Sequence, residues 1–216
     1  MGTVVGVVGG SGGVGASTFA AVLAAVAGTS ALIDVDVVGG GIDVLLGVEL
    51  EPGARWSGLH LAGGHLDPAV LLDGLPHWGR CAVLAADEPR LDPTAVRQVI
   101  EVAAAAGPAV LDLPRTPCPE RSAALELCDL VVVLARGDAC GLVAAHAVIR
   151  GLPDVPVGVV IRRGELPGPE AARLVDAPLL GELPPMGDAV DLTGGRLPRT
   201  ARSVAAGVLA GAGAVG

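Results

Sequence analysis

The sequence predicts a doubly wound α/β domain with three layers, in which helices cover both faces of a mostly parallel sheet. Strand-length apolar segments alternate with Ala-rich helical segments along the chain. The strand segments are near-continuous runs of Val, Leu and Ile, as expected for strands that are buried on both faces. A glycine-rich loop separates the first strand from the first helix. Because ligands bind at the carboxyl ends of the strands in such sheets, we expect the functional site at that edge.

In the first half of the chain, apolar runs and the residues that end them predict five main elements. These are a strand at 3–9, a helix at 17–28, strands at 31–36 and 81–87, and a helix at 93–107. Gly28 and Gly107 are expected to end the two helices. The segment 49–80 contains Pro, Gly, His and both tryptophans, and we interpret it as an irregular excursion with one short helix near "PAVLLDGL". The strand at 3–9 is expected inside the sheet and parallel to the strand at 31–36.

The second half of the chain continues the alternation. It predicts strands at 109–114, 130–136, 155–162 and 177–184, and helices at 119–128, 141–152, 169–175 and 198–212. No repeat or linker divides the sequence, so we expect residues 1–216 to form one domain. The final residues "GAGAVG" are expected to fray.

The composition argues against several classes of function. The net charge of −9 disfavours broad electrostatic binding to nucleic acid or to an anionic membrane surface. Every apolar run is interrupted before the roughly 18 residues of a spanning helix, and the first residues lack the basic region of a signal peptide. The four cysteines and four histidines show no metal-ligand spacing, which favours reduced thiols in a cytoplasmic protein.

The stretch "VVGVVGGSGGVGASTFAAVLAAV" (4–26) has the form of a phosphate-binding loop between a strand and a helix. Such a loop has a glycine, four further residues, and then glycine, lysine and serine or threonine. Gly10, Gly15 and Ser17 fit this pattern, whereas Ala16 takes the place of the lysine. The chain contains no lysine at all, so none elsewhere in it replaces the missing ammonium group. The alternative is a tight turn without a ligand, which the position between strand and helix disfavours.

Four motifs together resemble the MinD/ParA group of deviant Walker ATPases. They are "SGGVGAST" (11–18), "ALIDVDVVGGGIDVLLG" (31–47), "AVLDLP" (109–114) and "GELP" (181–184). Within that group the chain is similar to the CpaE-like branch, which includes the TadZ proteins that localise Flp-type pilus machinery and actinobacterial proteins named as septum site-determining. The resemblance implies a P-loop NTPase fold, ATP and Mg²⁺ as cofactors, protein partners of a septum or pilus-secretion machinery, and formation of a homodimer.

The resemblance also implies a role for each residue of the site. The residues that would line the phosphates are Gly12, Gly13, Val14, Gly15, Ala16, Ser17 and Thr18. Ser17 would supply the hydroxyl ligand of magnesium. Asp34 and Asp36 match an acidic pair after the second strand, of which Asp36 would bind the metal and hold or activate the attacking water. Asp112 matches the aspartate that holds magnesium through water, so Asp36 and Asp112 are the predicted catalytic residues. The alternative for both is a solvated carboxylate at a strand end.

The sequence departs from the family pattern at several positions. The P-loop lysine falls on Ala16, and the second lysine, which crosses a dimer interface to the other subunit's phosphates, falls on Ser11. Arg162 stands where the family has an asparagine that contacts adenine, and Val37 stands where it has proline. Each missing ammonium group removes a charge-assisted contact worth about 1.5–3 kcal/mol, so nucleotide binding is expected to be weak and hydrolysis weaker still.

Four arginines that follow predicted strands are candidates to replace the lysine. They are Arg115, Arg136, Arg162 and Arg163. A guanidinium group binds phosphate through two parallel hydrogen bonds, although an ordinary solvated loop arginine is the alternative for each. Arg115, three residues beyond Asp112, is the strongest candidate, and Arg162 is the second that we assign to cofactor binding.

Three functions remain open at this point. The chain is a degenerate MinD/ParA-type protein that positions partners with weak or no ATP hydrolysis, or an active ATPase that uses arginine for lysine. The third is an NAD-type oxidoreductase, because residues 10–15 also contain G-x-G-x-x-G, with an acidic residue about 20 positions later. The tail from residue 198 has few basic and no aromatic residues, so membrane recruitment is expected only through partners. The receiver-like N-terminal domain of many relatives is not expected, because the P-loop strand begins at residue 3.

Overall fold

The computed structural model describes residues 1–28, 30–39, 41–59, 66–185 and 191–213. Within these residues, eight strands form one sheet in the order β3-β4-β2-β5-β1-β6-β7-β8. The strands are β1 (Val4–Gly9), β2 (Ser30–Asp34), β3 (His77–Trp78), β4 (Cys81–Leu84), β5 (Ala109–Leu113), β6 (Leu130–Arg136), β7 (Val157–Arg162) and β8 (Leu179–Leu183). Each neighbouring pair is parallel except β3 with β4, which confirms the predicted mostly parallel sheet.

Helices pack on both faces of this sheet. They are α1 (Ala16–Ala27), α2 (Ile42–Leu46), α3 (Pro68–Asp73), α4 (Pro93–Ala106), α5 (Pro119–Leu125), α6 (Ala139–Arg150), α7 (Gly168–Leu174) and α8 (Arg199–Ala212). The core of one face includes α1 and α8, and the core of the other includes α4, α5, α6 and α7, which gives the three predicted layers. Among the helices of the described residues, none is both long enough and apolar enough to cross a bilayer.

Strand β1 shows why the strand segments are continuous apolar runs. Val4 and Val8 belong to the core on one face of the sheet, and Val5 and Val7 belong to the core on the other. Because both faces are covered, apolar side chains are needed at successive positions rather than at alternate ones. The strand lies between β5 and β6 and is parallel to both, inside the sheet as expected. Its carboxyl end therefore opens between neighbours whose ends also contribute to the site.

Capping side chains determine where several helices begin, and α1 begins differently. The carboxylates of Asp67, Asp92 and Asp138 accept backbone N–H groups in the first turns of α3, α4 and α6. Caps of this kind contribute about 1 kcal/mol each. Helix α1 instead starts after Gly15, which has a left-handed backbone and makes no side-chain cap. The first N–H groups of α1 thus have no capping side chain, as suits a helix end that binds an external acceptor.

The irregular segment predicted at 49–80 forms short elements where it is described. It contains a 3₁₀ helix (Trp56–Gly58), then α3 where one short helix was expected, and the two-residue strand β3. The buried indole of Trp56 donates its N–H to the carbonyl of Asp34 at 2.8 Å, which ties the segment to the end of β2. Residues 60–65 lie outside the described residues. Of residues 211–216, which were expected to fray, Gly211 and Ala212 belong to α8, and 214–216 lie outside the described residues. The assignment of 1–216 to one domain stays a prediction.

Candidate functional site

A cleft of about 1090 Å³ lies at the carboxyl ends of the central strands. Its walls come from the loop between β1 and α1 and from residues at or just beyond the carboxyl ends of β2, β5, β7 and β8. The predicted site residues that line it are Gly12, Gly13, Val14, Gly15, Ala16, Ser17, Thr18, Asp36, Asp112, Arg115 and Arg162. Small-molecule pockets typically measure roughly 300–1,000 Å³, so this cleft is large enough for a nucleotide.

The loop between β1 and α1 presents backbone rather than side chains to the cleft. Gly13 and Gly15 have positive φ angles of 70° and 89°, and turns that contain such residues can form the N–H concavities that bind anions. A Cβ atom at Gly12 or Gly13 would meet nothing within 4 Å, so space remains above the loop. The Val14 side chain is instead buried in the core, and this residue contributes only its main chain. The first turn of α1 carries no acidic residue that would repel an anion.

We expect Gly15→Ala to lower the free energy of unfolding by about 1–3 kcal/mol, the usual cost of a non-glycine residue in such a conformation. The added Cβ would also lie 2.6 Å from Nη2 of Arg162. Gly12→Ala is the matched control, since its Cβ would enter open space, and it is expected to change stability by less than about 0.5 kcal/mol. Urea unfolding measures the free energy of unfolding of both variants. Equal decreases in the two variants would contradict the role assigned to Gly15.

Two aspartates form the acidic end of the cleft. Asp34 on β2 and Asp112 on β5 are paired in register on neighbouring strands, and both are buried. The Asp34 carboxylate accepts N–H groups from Asp36 at 3.0 Å and Ile42 at 3.3 Å. Asp36 itself is half-buried at the cleft wall, and its Oδ1 accepts the N–H of Val38 at 3.1 Å. All three aspartates line the same cleft as the phosphate loop.

Burial raises the pKa values of the two strand aspartates. Loss of solvent raises the pKa of Asp34 to about 7, although three backbone N–H groups act in the opposite direction. Burial raises the pKa of Asp112 to about 8, with a further contribution from the negative charge of Asp34, while a hydrogen bond with Ser17 lowers it. Burial is the largest cause of both shifts, and it disfavours the ionised form of each carboxyl group. In the described residues, neither aspartate forms an ion pair with an arginine or histidine.

A divalent cation fits the acidic end of the cleft. Magnesium prefers carboxylate and hydroxyl oxygens and usually binds through one or two carboxylates plus water and phosphate. Asp112 supplies a buried carboxylate, and the Ser17 hydroxyl lies beside it. The described residues contain no group of three or more His, Cys, Asp or Glu arranged to hold a metal unaided. The remaining ligands of a cation would therefore come from Ser17, from water and from a bound phosphate.

Arg162 contacts the phosphate loop directly. Its Nε donates to the carbonyl of Val14 at 2.5 Å, and its Nη1 donates to the carbonyl of Pro184 at 3.3 Å. Burial lowers the pKa of this guanidinium. No ion pair to Arg162 is formed within the described residues. A half-buried cation therefore lies against the loop and joins it to the segment that follows β8.

The other three arginines are placed differently. Arg115 lies on the cleft wall, but its side chain is exposed and its carbonyl accepts a hydrogen bond from Arg121 Nη1 at 2.6 Å. Arg136 pairs with Asp138 at 3.1 Å, and Arg163 is exposed; neither lines the cleft. Contact between Arg115 and a bound phosphate stays a prediction.

Two features of the site were not evident from the sequence. Asp34 was matched only as part of an acidic pair, yet it is the residue opposite Asp112. The common placement of an aspartate after three apolar residues, in "ALID" and "AVLD", was the available signal. The contact of Arg162 with Val14 joins residues 148 positions apart and has no local signal. Together, the geometry supports binding of a phosphate chain and a divalent cation, without a lysine to neutralise the phosphates.

Comparison with known sequences yields two curated relatives, and no protein-family model matches the chain. The relatives are uncharacterized proteins from Mycobacterium tuberculosis strains CDC 1551 and H37Rv. Each is 38% identical over 190 residues, a stretch that covers 84% of this chain and 54% of the relative. The chain thus spans about half the length of the curated relatives that it matches.

Comparison with solved structures identifies the fold. A ParA family ATPase from Chlorobium tepidum has a TM-score of 0.80 at 16% identity, over 98% of this chain and 97% of that one. A chain of the Aquifex aeolicus MinC:MinD cell division complex has a TM-score of 0.76 at 18% identity, over 96% of both chains. Pyrococcus horikoshii MinD, complexed with Mg-ADP, has a TM-score of 0.65 at 15% identity, over 97% of this chain and 95% of that one. The fold is therefore that of the MinD/ParA P-loop ATPases.

Proposed function

We propose that this chain, which has the fold of the MinD/ParA P-loop ATPases, is a degenerate member that positions partner proteins and hydrolyses ATP weakly or not at all. The observation that carries this proposal is a cleft that keeps the phosphate loop and the aspartates expected of a nucleotide site but has no lysine side chain. The glycine loop, Ser17 and the Asp34–Asp112 pair surround the cleft, while Ala16 offers no positive charge beside them. Binding of phosphate is thus supported, and stabilisation of the transition-state charge is not.

The cellular role that we propose is that of the CpaE-like branch. In that branch the chain would act in septum-site selection or in localising a Flp/Tad-type pilus-secretion machinery. The motifs quoted above support this role, and the fold neighbours include a MinD in complex with MinC and a ParA family ATPase. Partners would be protein components of such a machinery, with a homodimer as the working unit. We propose a cytoplasmic location with membrane recruitment through those partners and without direct binding to nucleic acid.

The second candidate is an active ATPase in which arginine replaces lysine. Its support is the contact between Arg162 and Val14, which places a guanidinium against the loop. The NAD-type oxidoreductase has weaker support. Asp34 and Asp36 are the two carboxylates that could bind the ribose of NAD. The Asp34 oxygens already accept three backbone N–H groups, and Oδ1 of Asp36 accepts the N–H of Val38.

The proposal predicts binding without turnover in the purified chain. We expect magnesium pyrophosphate and nucleoside diphosphates to bind in calorimetric titrations, while phosphate release from ATP stays near background. Arg115→Ala is expected to weaken pyrophosphate binding by about 1–3 kcal/mol, the truncation cost of a charged hydrogen bond. Arg173→Ala is the matched control. Arg173 does not line the cleft, and its Nε donates to the carbonyl of Pro169 within α7.

Each proposed element of the function can fail separately in this experiment. Phosphate release as fast as that of a lysine-bearing ParA or MinD protein, measured side by side, would favour the arginine-dependent ATPase. Absence of all binding would exclude a nucleotide-responsive protein. Equal losses in Arg115→Ala and Arg173→Ala would show that Arg115 acts only through overall charge.

A further inference from the structure

The two ends of the cleft differ in chemistry and therefore orient a nucleotide. On one side of β1, strands β2 and β5 place Asp34 and Asp112 at the metal end. On the other side of β1, Arg162 ends β7 and Pro184 follows β8. The N-terminus of α1, which suits the phosphates, lies between these ends. A nucleotide with its metal beside Asp112 therefore directs its base towards β7 and β8.

The β7–β8 end of the cleft has apolar walls and one charged group. The apolar residues that line it are Leu183, Pro184, Pro185, Pro198 and Ala201. Nonpolar surfaces of this kind suit the faces of a flat aromatic ring, while polar groups at the edge of a pocket determine which ring is accepted. Among the described residues that line this end, Arg162 alone is charged. Arg162 is therefore the charged side chain at this end that can contact the edge of a base.

Arg162 offers only hydrogen-bond donors. A guanidinium has five N–H groups and no acceptor. One of them, on Nε, is used by the carbonyl of Val14, and another, on Nη1, is used by the carbonyl of Pro184. Within the described residues the other three N–H groups make no hydrogen bond, and Nη2 lies 2.6 Å from the position that a Cβ atom on Gly15 would take. The two carbonyl contacts also hold the side chain in place, so its free donors have a defined direction.

We propose that Arg162 makes the cleft select guanine over adenine nucleotides, an inference that rests on the nucleotide binding proposed above. The major-groove edge of guanine carries two acceptors, O6 and N7, which match paired donors of a guanidinium. The same edge of adenine carries the acceptor N7 beside the donor N6–H₂, which would face another donor. A mismatch of this kind leaves buried polar groups unpaired. Arg162 is thus a specificity-determining residue for the base.

Four nucleoside diphosphates test the proposal on the wild-type chain. GDP, inosine diphosphate, 7-deaza-GDP and ADP are titrated in the presence of Mg²⁺, with pyrophosphate as a probe that has no base. We expect GDP to bind at least about fivefold more tightly than ADP, the lower limit for a bidentate contact. Inosine diphosphate keeps O6 and N7 and should match GDP. The 7-deaza analogue lacks the N7 acceptor and should lose most of the preference.

Two variants connect the preference to the side chain. Arg162→Asn replaces paired donors with one donor and one acceptor, the arrangement that matches adenine, so the preference for GDP should disappear or reverse. Arg163→Asn removes the same charge at the adjacent, exposed residue and should leave the preference unchanged. Retained binding of pyrophosphate verifies that each variant keeps a folded site. The four wild-type titrations test the preference for guanine even if a variant does not fold.

The results that would contradict base selection by Arg162 differ from those that would contradict nucleotide binding as a whole. ADP that binds as tightly as GDP, or inosine diphosphate that binds like ADP, would overturn the role of Arg162 while pyrophosphate binding leaves the proposed function intact. A GDP preference that survives Arg162→Asn would also overturn it. If neither pyrophosphate nor any diphosphate binds, the proposed function fails and the base selection fails with it.

Discussion

Ala16→Lys is expected to raise the affinity for a nucleoside triphosphate by about ten- to a hundredfold. Ala16 is the first residue of α1 and lines the cleft beside Ser17, where a longer side chain would extend towards the phosphates. A charge-assisted hydrogen bond from an ammonium group contributes about 1.5–3 kcal/mol, which corresponds to that range of affinity. Calorimetric titration with the magnesium complex of a non-hydrolysable triphosphate measures the change.

Ala139→Lys provides a closely matched control for this substitution. Ala139 is the first residue of α6, so it has the same residue type at the same helix position, but it is exposed and does not line the cleft. A general effect of positive charge would appear in both variants. We expect the affinity to change only at position 16, and an unchanged affinity there would contradict the placement of phosphates at the N-terminus of α1.

Asp112→Asn is expected to stabilise the ligand-free protein by about 2–5 kcal/mol near pH 9. The pKa of Asp112 is raised from 3.8 to about 8, because burial and the charge of Asp34 disfavour its ionised form. The folded state therefore binds the proton more tightly than the unfolded state does. Its stabilisation by this proton is complete below a pH of about 4 and is lost as the pH rises towards 8. Asparagine does not ionise, so the variant lacks this loss.

Urea unfolding at a series of pH values measures the effect. The wild-type and Asp112→Asn free energies of unfolding should be similar in acid and diverge as the pH rises. Asp154→Asn, at an exposed residue outside the helices and strands, is the control and should follow the wild type. Magnesium nucleotide should narrow the difference in stability, because a cation beside Asp112 offsets the charge of a carboxylate that only the wild type carries. A variant less stable than the wild type at high pH would show that Asp112 is a structural residue.

The sequence was sufficient for features that depend on local pattern. Uninterrupted apolar runs predict the buried parallel strands, and the glycine loop before α1 predicts where the cleft opens. Asp112 was predicted to line the site because it follows three apolar residues in the motif "AVLDLP", and the structure places it on the cleft wall. Strand β3, with two residues, and helix α2, with five, were missed because each is shorter than the stretch over which a hydrophobic pattern can be recognised, roughly four residues for a strand and eleven for a helix.

The remaining features depend on contacts between distant parts of the chain. Asp34 acquires its importance from the register of β2 against β5, which brings it beside Asp112. No local property of "ALIDVD" separates Asp34 from Asp36, whereas in the structure Asp34 is buried and paired in register with Asp112. Arg162 was expected near the cleft as one of several strand-end arginines. Its specific contacts with Val14 and Pro184 arise from tertiary packing of β7 and β8 beside the loop.

The anchoring of Trp56 has a consequence for spectroscopy. The chain has no tyrosine and two tryptophans, so Trp56 and Trp78 dominate its intrinsic fluorescence. Both indoles are buried, but Trp56 donates to the carbonyl of Asp34 at the acidic end of the cleft, whereas Trp78 donates to the carbonyl of Leu192. A cation or phosphate that reaches the carboxylates alters the electric field at one fluorophore more than at the other. The protein therefore contains its own optical probe of the cleft, together with an internal reference.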